Sequence, residues 1–235
     1  MKKLLISLVI LAAVVFGGLK FNANKVEEKY NEALSLIKTN GIDVKNSVFE
    51  SGLLKSHANY EVIFSKKHIN ELMALGEEYG APEDIAIKID MNISHGFAGL
   101  LGKFDVVGDA EFLSEPYKNF MIEAFDSVKP IKFHSSGTSG GDKKIVFELA
   151  GVQKEVDGNK VNLAKSFLIF DINGEKKIAG VSFTNDFVDF AGKEGVAMRI
   201  KNIGYDVKYE TPIEPKMISK ALVNSNYKFE LGFTE

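Results

Sequence analysis

No cysteine occurs anywhere in this chain. That excludes disulfides, thiol nucleophiles, thiolate-bound metals and a lipid-modified cysteine after a leader. Arginine is almost missing too: of 29 basic residues only Arg199 is arginine, so clamps of several guanidinium forks for carboxylate or phosphate cannot be assembled. Tryptophan is absent while phenylalanine is abundant, at 18 residues, which suits a Phe-packed, strand-rich interior. Three lysines lie within the first 20 residues, where no acid occurs. The rest of the chain therefore carries 26 bases against 32 acids, a formal net charge of −6. A surface of that sign argues against nucleic acid and against attraction to anionic headgroups.

What is present begins at the N-terminus. Lys2 and Lys3 precede an uncharged apolar run from Leu4 to Leu19, and a polar stretch around Asn22 and Asn24 follows. A short cationic head before an apolar stretch is an export signal whose charge stays in the cytoplasm. Sixteen residues make roughly 24 Å of helix, short of a hydrocarbon core of about 30 Å. Extension to Ala23, with Lys20 snorkelling outward, gives a marginal span. The cleavage candidate at Val15-Phe16-Gly17 has a poor small-residue pattern, so a retained anchor is favoured over release into the periplasm. The expected organisation is residues 1–23 as signal-anchor, 24–40 as stalk helix and 41–235 as one β-rich periplasmic domain.

Periodicity predicts the remaining elements. Val26, Tyr30, Ala33, Leu34 and Ile37 form one helical stripe that stops at Asn40-Gly41. Ile42 to Phe64 reads as extended, broken at Ser51-Gly52, and a helix is expected over Lys66 to Tyr79. Alternation of Ile85, Ile87, Ile89, Met91 and Ile93 with polar residues marks a half-buried strand. A strand over Phe104–Val107 and a helix over Pro116–Phe125 follow. Strands are then expected at Lys144–Leu149, Lys160–Leu163, Ser166–Asp171, Lys177–Phe183, Val196–Lys201, Tyr205–Tyr209 and Tyr227–Phe233. A short helix is expected over Glu214–Ala221. Asp157-Gly158-Asn159 and Asn173-Gly174 are hairpin signals, the second read as a type I′ turn. The fold class is α+β: a mainly antiparallel, curved β-sheet with a few short packing helices, preceded by one N-terminal membrane helix. A weak repeat relates residues 48–79 to 91–125 through the Gly-Leu-Leu strings at Gly52 and Gly99.

Catalytic motifs do not survive inspection. Gly137-Thr138-Ser139-Gly140-Gly141 formally matches the nucleophile elbow, but that chemistry needs a helix after the serine, and Lys144–Glu148 reads as a strand. Ser135–Asp142 is more simply a flexible hairpin loop. His57, His68, His95 and His134 show no metal-ligand spacing, and Asp171–Glu175 lacks the order of a calcium loop. Asp186 and Asp189 read as a solvated edge or turn. No catalytic residue, metal or cofactor is therefore expected.

Two segments stand out: Glu50-Ser51-Gly52-Leu53-Leu54-Lys55-Ser56-His57-Ala58 and Ile93-Ser94-His95-Gly96-Phe97. In each a strand reaches a glycine, which permits a bulge or a positive φ. The plain reading is a pair of sheet corners. The functional reading is a ligand or partner surface of Gly52, Leu53, Ser56, His95, Gly96 and Phe97, with His95 at its lip.

With the leader and Tyr30, these segments resemble the YdgA-like family of bacterial envelope proteins. That family has a signal-anchor, a strand of the form y-x-R-G-L-F-x-S-x-A and a later strand ending I-x-H-G-P. Gly52, Leu53, Ser56 and Ala58 match the first pattern and Ile93, His95 and Gly96 the second, while Ser51 replaces the arginine and Phe97 the proline. The resemblance implies an inner-membrane-anchored periplasmic protein without established enzymatic activity. The leading expectation is a non-enzymatic envelope domain held in the inner membrane by residues 4–23, binding a hydrophobic ligand such as a lipid, or an envelope protein. The rivals are a periplasmic serine hydrolase using Ser139 with His134 or His95, and a structural assembly module.

Overall fold

A computed structural model describes residues 26–39, 42–52, 55–73, 83–95, 103–138, 141–192, 197–213 and 228–234. In chain order these form α1 (Val26–Thr39), β1 (Asp43–Glu50), β2 (Lys55–Phe64), α2 (Lys66–Met73), β3 (Ile85–Ser94), β4 (Lys103–Phe112) and α3 (Glu115–Phe125). Then come β5 (Ile131–Thr138), β6 (Lys143–Leu149), β7 (Val152–Val156), β8 (Asn159–Leu163), β9 (Ser166–Ile172), β10 (Ile178–Ala191), β11 (Ala197–Ile213) and β12 (Lys228–Thr234). The expected signal-anchor at residues 1–23, Leu53, Gly96, Phe97, Ser139 and the helix expected over Glu214–Ala221 lie outside the described residues. Among the described residues no helix is long and apolar enough to cross a membrane.

All strands join one open antiparallel sheet. Neighbours follow chain order from β1 to β6, then β9, β10, β11 and β12, while β7 and β8 form a side hairpin. The hairpin exists because β10 is twice as long as β9. Its first half pairs with β9 as far as Asn185↔Ser166, and Val188 to Ala191 then pair with β8. Short connections join β1 to β2, β5 to β6, β7 to β8, β9 to β10 and β10 to β11, while α2 lies between β2 and β3 and α3 between β4 and β5.

The alternation of side chains gives the sheet a core face. Ile85, Ile87, Ile89, Met91 and Ile93 are buried, as the period of two predicts, and β2, β6 and β9 follow the same rule. Opposed residues line up across strands. One row runs Ala58, Met91, Gly108, Phe133, Phe147, Leu168, Phe183 and Tyr205. Within it Gly108 has a specific role: a Cβ there would lie 2.4 Å from both the Asp90 carbonyl oxygen and Phe133 Cζ, so the Phe133 ring fills the space glycine leaves.

Helix α1 buries Tyr30, Leu34 and Ile37 on this face. Tyr30 stacks on Phe49 at 4.9 Å, meets Tyr60 edge-on and shares a hydrogen bond with Ser47 at 2.8 Å. Burial pushes the Tyr60 hydroxyl well above its ordinary pKa. In α3, Pro116 sits at a permitted first-turn position, Tyr117 and Met121 are buried one turn apart, and Tyr117 stacks on Phe112. Its C-terminal carbonyls are met by Lys154 of β7, whose ammonium donates to the Glu123 carbonyl and to Asp126 at 2.8 Å.

Several expectations need correction, each because strand pairing outweighed local composition. Val196–Lys201 and Tyr205–Tyr209 are one strand, β11, held through Asn202 and Gly204 by its register with β10. β10 continues from Phe183 to Ala191, so Asp186 and Asp189 lie within a strand and not at a turn. Ser135 to Thr138 are strand as well and not a loop, Ser135 to Gly137 paired on both sides and Thr138 with Lys103. β7 was hidden by Gln153, Lys154 and Glu155. The Asp157-Gly158 turn has both φ values positive, as a type I′ hairpin requires. Asn173-Gly174 does not: the positive φ falls on Lys176, whose N–H donates to the Asn173 carbonyl. Asn173 and Lys177 therefore close a three-residue loop with a bulge.

Candidate functional site

Of the six residues expected to form a recognition surface, Gly52, Ser56 and His95 are described. Gly52 has no positive φ. Its value is close approach, because a Cβ would lie 2.2 Å from the Lys55 carbonyl oxygen. A register shift in this edge hairpin falls in β1, between Lys45 and Val48, where Asn46 has φ 48°. Ser56 and His95 do come together: Ser56 Oγ lies 3.0 Å from His95 Nε2, and both residues are buried. His95 is therefore inside and not at an exposed lip; the register Ser56↔Ile93 turns the serine onto the core face, where the residue after β3 folds back over it.

Two further imidazoles stand on the opposite face. His134 Nε2 meets Asp105 Oδ1 at 2.5 Å, half-exposed, and His57 Nδ1 lies 3.4 Å from Asn92 Oδ1 and 3.8 Å from Asp90. Lys129 joins this face through Asp109 at 2.8 Å, and that hydrogen bond raises the lysine pKa. These are solvated cross-strand pairs, individually worth little. Among the described residues no group of three ligating side chains could hold a metal ion. His68 lies in α2.

The core face changes character along the sheet. From β2 to β9 its residues are buried: Ile93, Val106, Ile145, Phe147 and Phe170 have no exposure. In β10 and β11 the same rows continue through Phe183, Ile203, Tyr205, Val207, Tyr209 and Ile213, all only half-buried. Phe183 and Tyr205 stack there at 5.9 Å.

Asn185 belongs to this end. It is 3% exposed and sits at the hand-over where β10 leaves β9 for β8. Its amide nitrogen donates to the Ala164 carbonyl and to Ser166 Oγ, each at 2.9 Å. The carbonyl acceptor fixes which end of the amide is nitrogen. Asn185 Oδ1 is therefore the oxygen, and it is buried with no hydrogen-bond partner among the described residues. Tyr209 Oη is likewise enclosed and unpartnered, and burial raises its pKa. Sequence reasoning passed over these residues because Thr184-Asn185-Asp186 reads as a polar break. Continuing the alternation Val181, Phe183, Asn185, Phe187 would have placed the asparagine on the apolar face.

The fold and the site thus define a protein built on a single open antiparallel sheet with one apolar face. A family profile described as bacterial protein of unknown function (DUF945) matches residues 1–212, and the chain belongs to that family. No curated protein and no solved structure matches it.

Proposed function

We propose that the chain is a non-enzymatic envelope domain, held in the inner membrane by residues 4–23 with its sheet in the periplasm, and that it binds a hydrophobic ligand on the core face of that sheet. The observation that carries this reading is the unbroken apolar row from Ala58 to Tyr205, closed over β2 to β9 and half-open at Phe183 and Tyr205. A face of this kind buries an acyl chain by the same area-proportional gain that folds the protein. The cationic head and apolar run of the leader support the location, as does the resemblance to YdgA-like proteins at Gly52, Leu53, Ser56, His95 and Gly96.

The hydrolase alternative, using Ser139, is less well supported, because the nucleophile elbow needs a helix after the serine and the next element is strand β6. Purification of the full-length protein from membranes, followed by solvent extraction and mass spectrometry, tests the proposal. A lipid retained in stoichiometric amount is expected. A consistently empty protein would refute it.

A further inference from the structure

We infer that the half-open end of the core face, at β10 and β11, is a site for a neutral amphipathic lipid whose headgroup donates a hydrogen bond to Asn185 Oδ1. This deepens the ligand-binding reading and rests on it.

Three observations converge. The first is the buried acceptor. An enclosed amide oxygen without a donor is uncommon in a folded core and costs the full desolvation of that group. Asn185 cannot relieve it by flipping, since its nitrogen is committed to the Ala164 carbonyl. An incoming donor would satisfy it. The second is the aromatic floor beside it: Phe183 lies two residues along the same strand face, with Tyr205 stacked against it and Val207 opposite Val181. Two residues along a strand is about 7 Å, the reach from a headgroup to the first carbons of a chain. The third is the run beyond it. From Tyr205 to Tyr209 the face extends about 13 Å, long enough for roughly ten methylenes, and ends at another enclosed polar atom, Tyr209 Oη.

The sign of the unmet group selects the ligand. An oxygen acceptor pairs with a hydroxyl or an amide N–H and repels a carboxylate, which offers only lone pairs at neutral pH. A monoacylglycerol, fatty alcohol or fatty amide fits; a fatty acid anion does not. No arginine lines this stretch, because the only one, Arg199, is bound in two places to Asp189. An anionic headgroup would meet no guanidinium here.

The test uses the full chain in amphipol and a diazirine-bearing monoacylglycerol, with the matching diazirine fatty acid as comparator. After photolysis the labelled peptides are mapped by mass spectrometry. Labelling concentrated in residues 178–213 is expected, displaced by unlabelled monopalmitoylglycerol about tenfold more effectively than by palmitate, the worth of one hydrogen bond. Phe183→Ala should lower labelling, and Asn185→Leu should abolish the preference for the glycerol ester. Because Asn185→Leu also removes two structural hydrogen bonds, the competition on the unsubstituted protein decides independently. Labelling elsewhere on the sheet, or equal displacement by palmitate, overturns the site while leaving the ligand-binding reading intact. No labelling above that of an unrelated membrane protein overturns both.

Discussion

The sheet body from β2 to β9 and the ribbon formed by β10 and β11 obey the same alternation but reach different states. In the body, Phe147 meets Phe133 and Phe170 at 6.2 and 6.1 Å and has no exposure. In the ribbon, the equivalent row position is Phe183, stacked on Tyr205 yet half-open to solvent. The body is held by interlocking apolar side chains. The ribbon is held at named polar points: the Asn185 clamp on Ala164 and Ser166, and the double hydrogen bond from Arg199 to Asp189, with the guanidinium 5.4 Å over the Phe187 ring. An alternating pattern therefore specifies a face; whether that face becomes core or contact surface depends on what lies over it.

The strongest way to break the comparison is to delete matching rings. Phe147→Ala should cost about 3–5 kcal/mol, since it removes transfer energy and leaves a cavity, and Phe183→Ala less than half as much. Urea unfolding of the two variants measures both. Equal losses would mean that the ribbon is core after all.

A smaller effect tests the buried polar contacts. Ser56→Ala leaves His95 Nε2 enclosed without its partner and should cost about 1–3 kcal/mol. Ser182→Ala, at a half-buried position in β10 on the other face of the sheet, should stay within about 0.5 kcal/mol. If the two variants melt together, the Ser56–His95 contact is not holding the strand end.

The smallest expected effect sharpens the ribbon's own chemistry. Hydrogen bonds from Arg199 hold the Asp189 carboxyl below its ordinary pKa. A depressed carboxylate stabilises the fold fully above its unfolded value, about 3.9, and loses that contribution as pH falls through the folded one. Arg199→Lys gives up the two-point contact and the stacking on Phe187. Its deficit, read as hydrogen exchange of β10 and β11 amides, should be modest at neutral pH and should vanish in acid. A deficit that persists unchanged to pH 2 would assign the arginine's effect to packing alone.

Much of the fold was legible. The Ile85-to-Ile93 alternation, the Tyr30 stripe, the Asp157-Gly158 turn and the proline at the start of α3 each carry local chemistry that fixes an element whatever surrounds it. The misses share a cause. Ser135 to Thr138, Asp189 and Gly204 have weak or contrary strand propensity and are strand because partners on one or both sides bind their backbones, while Asn202 sits inside β11 with φ 51°, a break the flanking pairs bridge. The candidate surface divides in the same way. Ser56 and His95 were singled out from their strings, but their mutual contact was not readable, because it depends on which face Ser56 presents.

By itself, then, the sequence determined the antiparallel α+β character, the apolar face, the absence of thiol and multi-arginine chemistry, and the cationic head before an apolar N-terminal run. These follow from side-chain identity and from periods of two and 3.6, which are local. Only the tertiary structure decided the lengths of β10 and β11, the hand-over from β9 to β8, the burial of His95 and the unmet oxygen of Asn185. Each of those is a property of pairing between residues distant in the chain, and no single segment contains it.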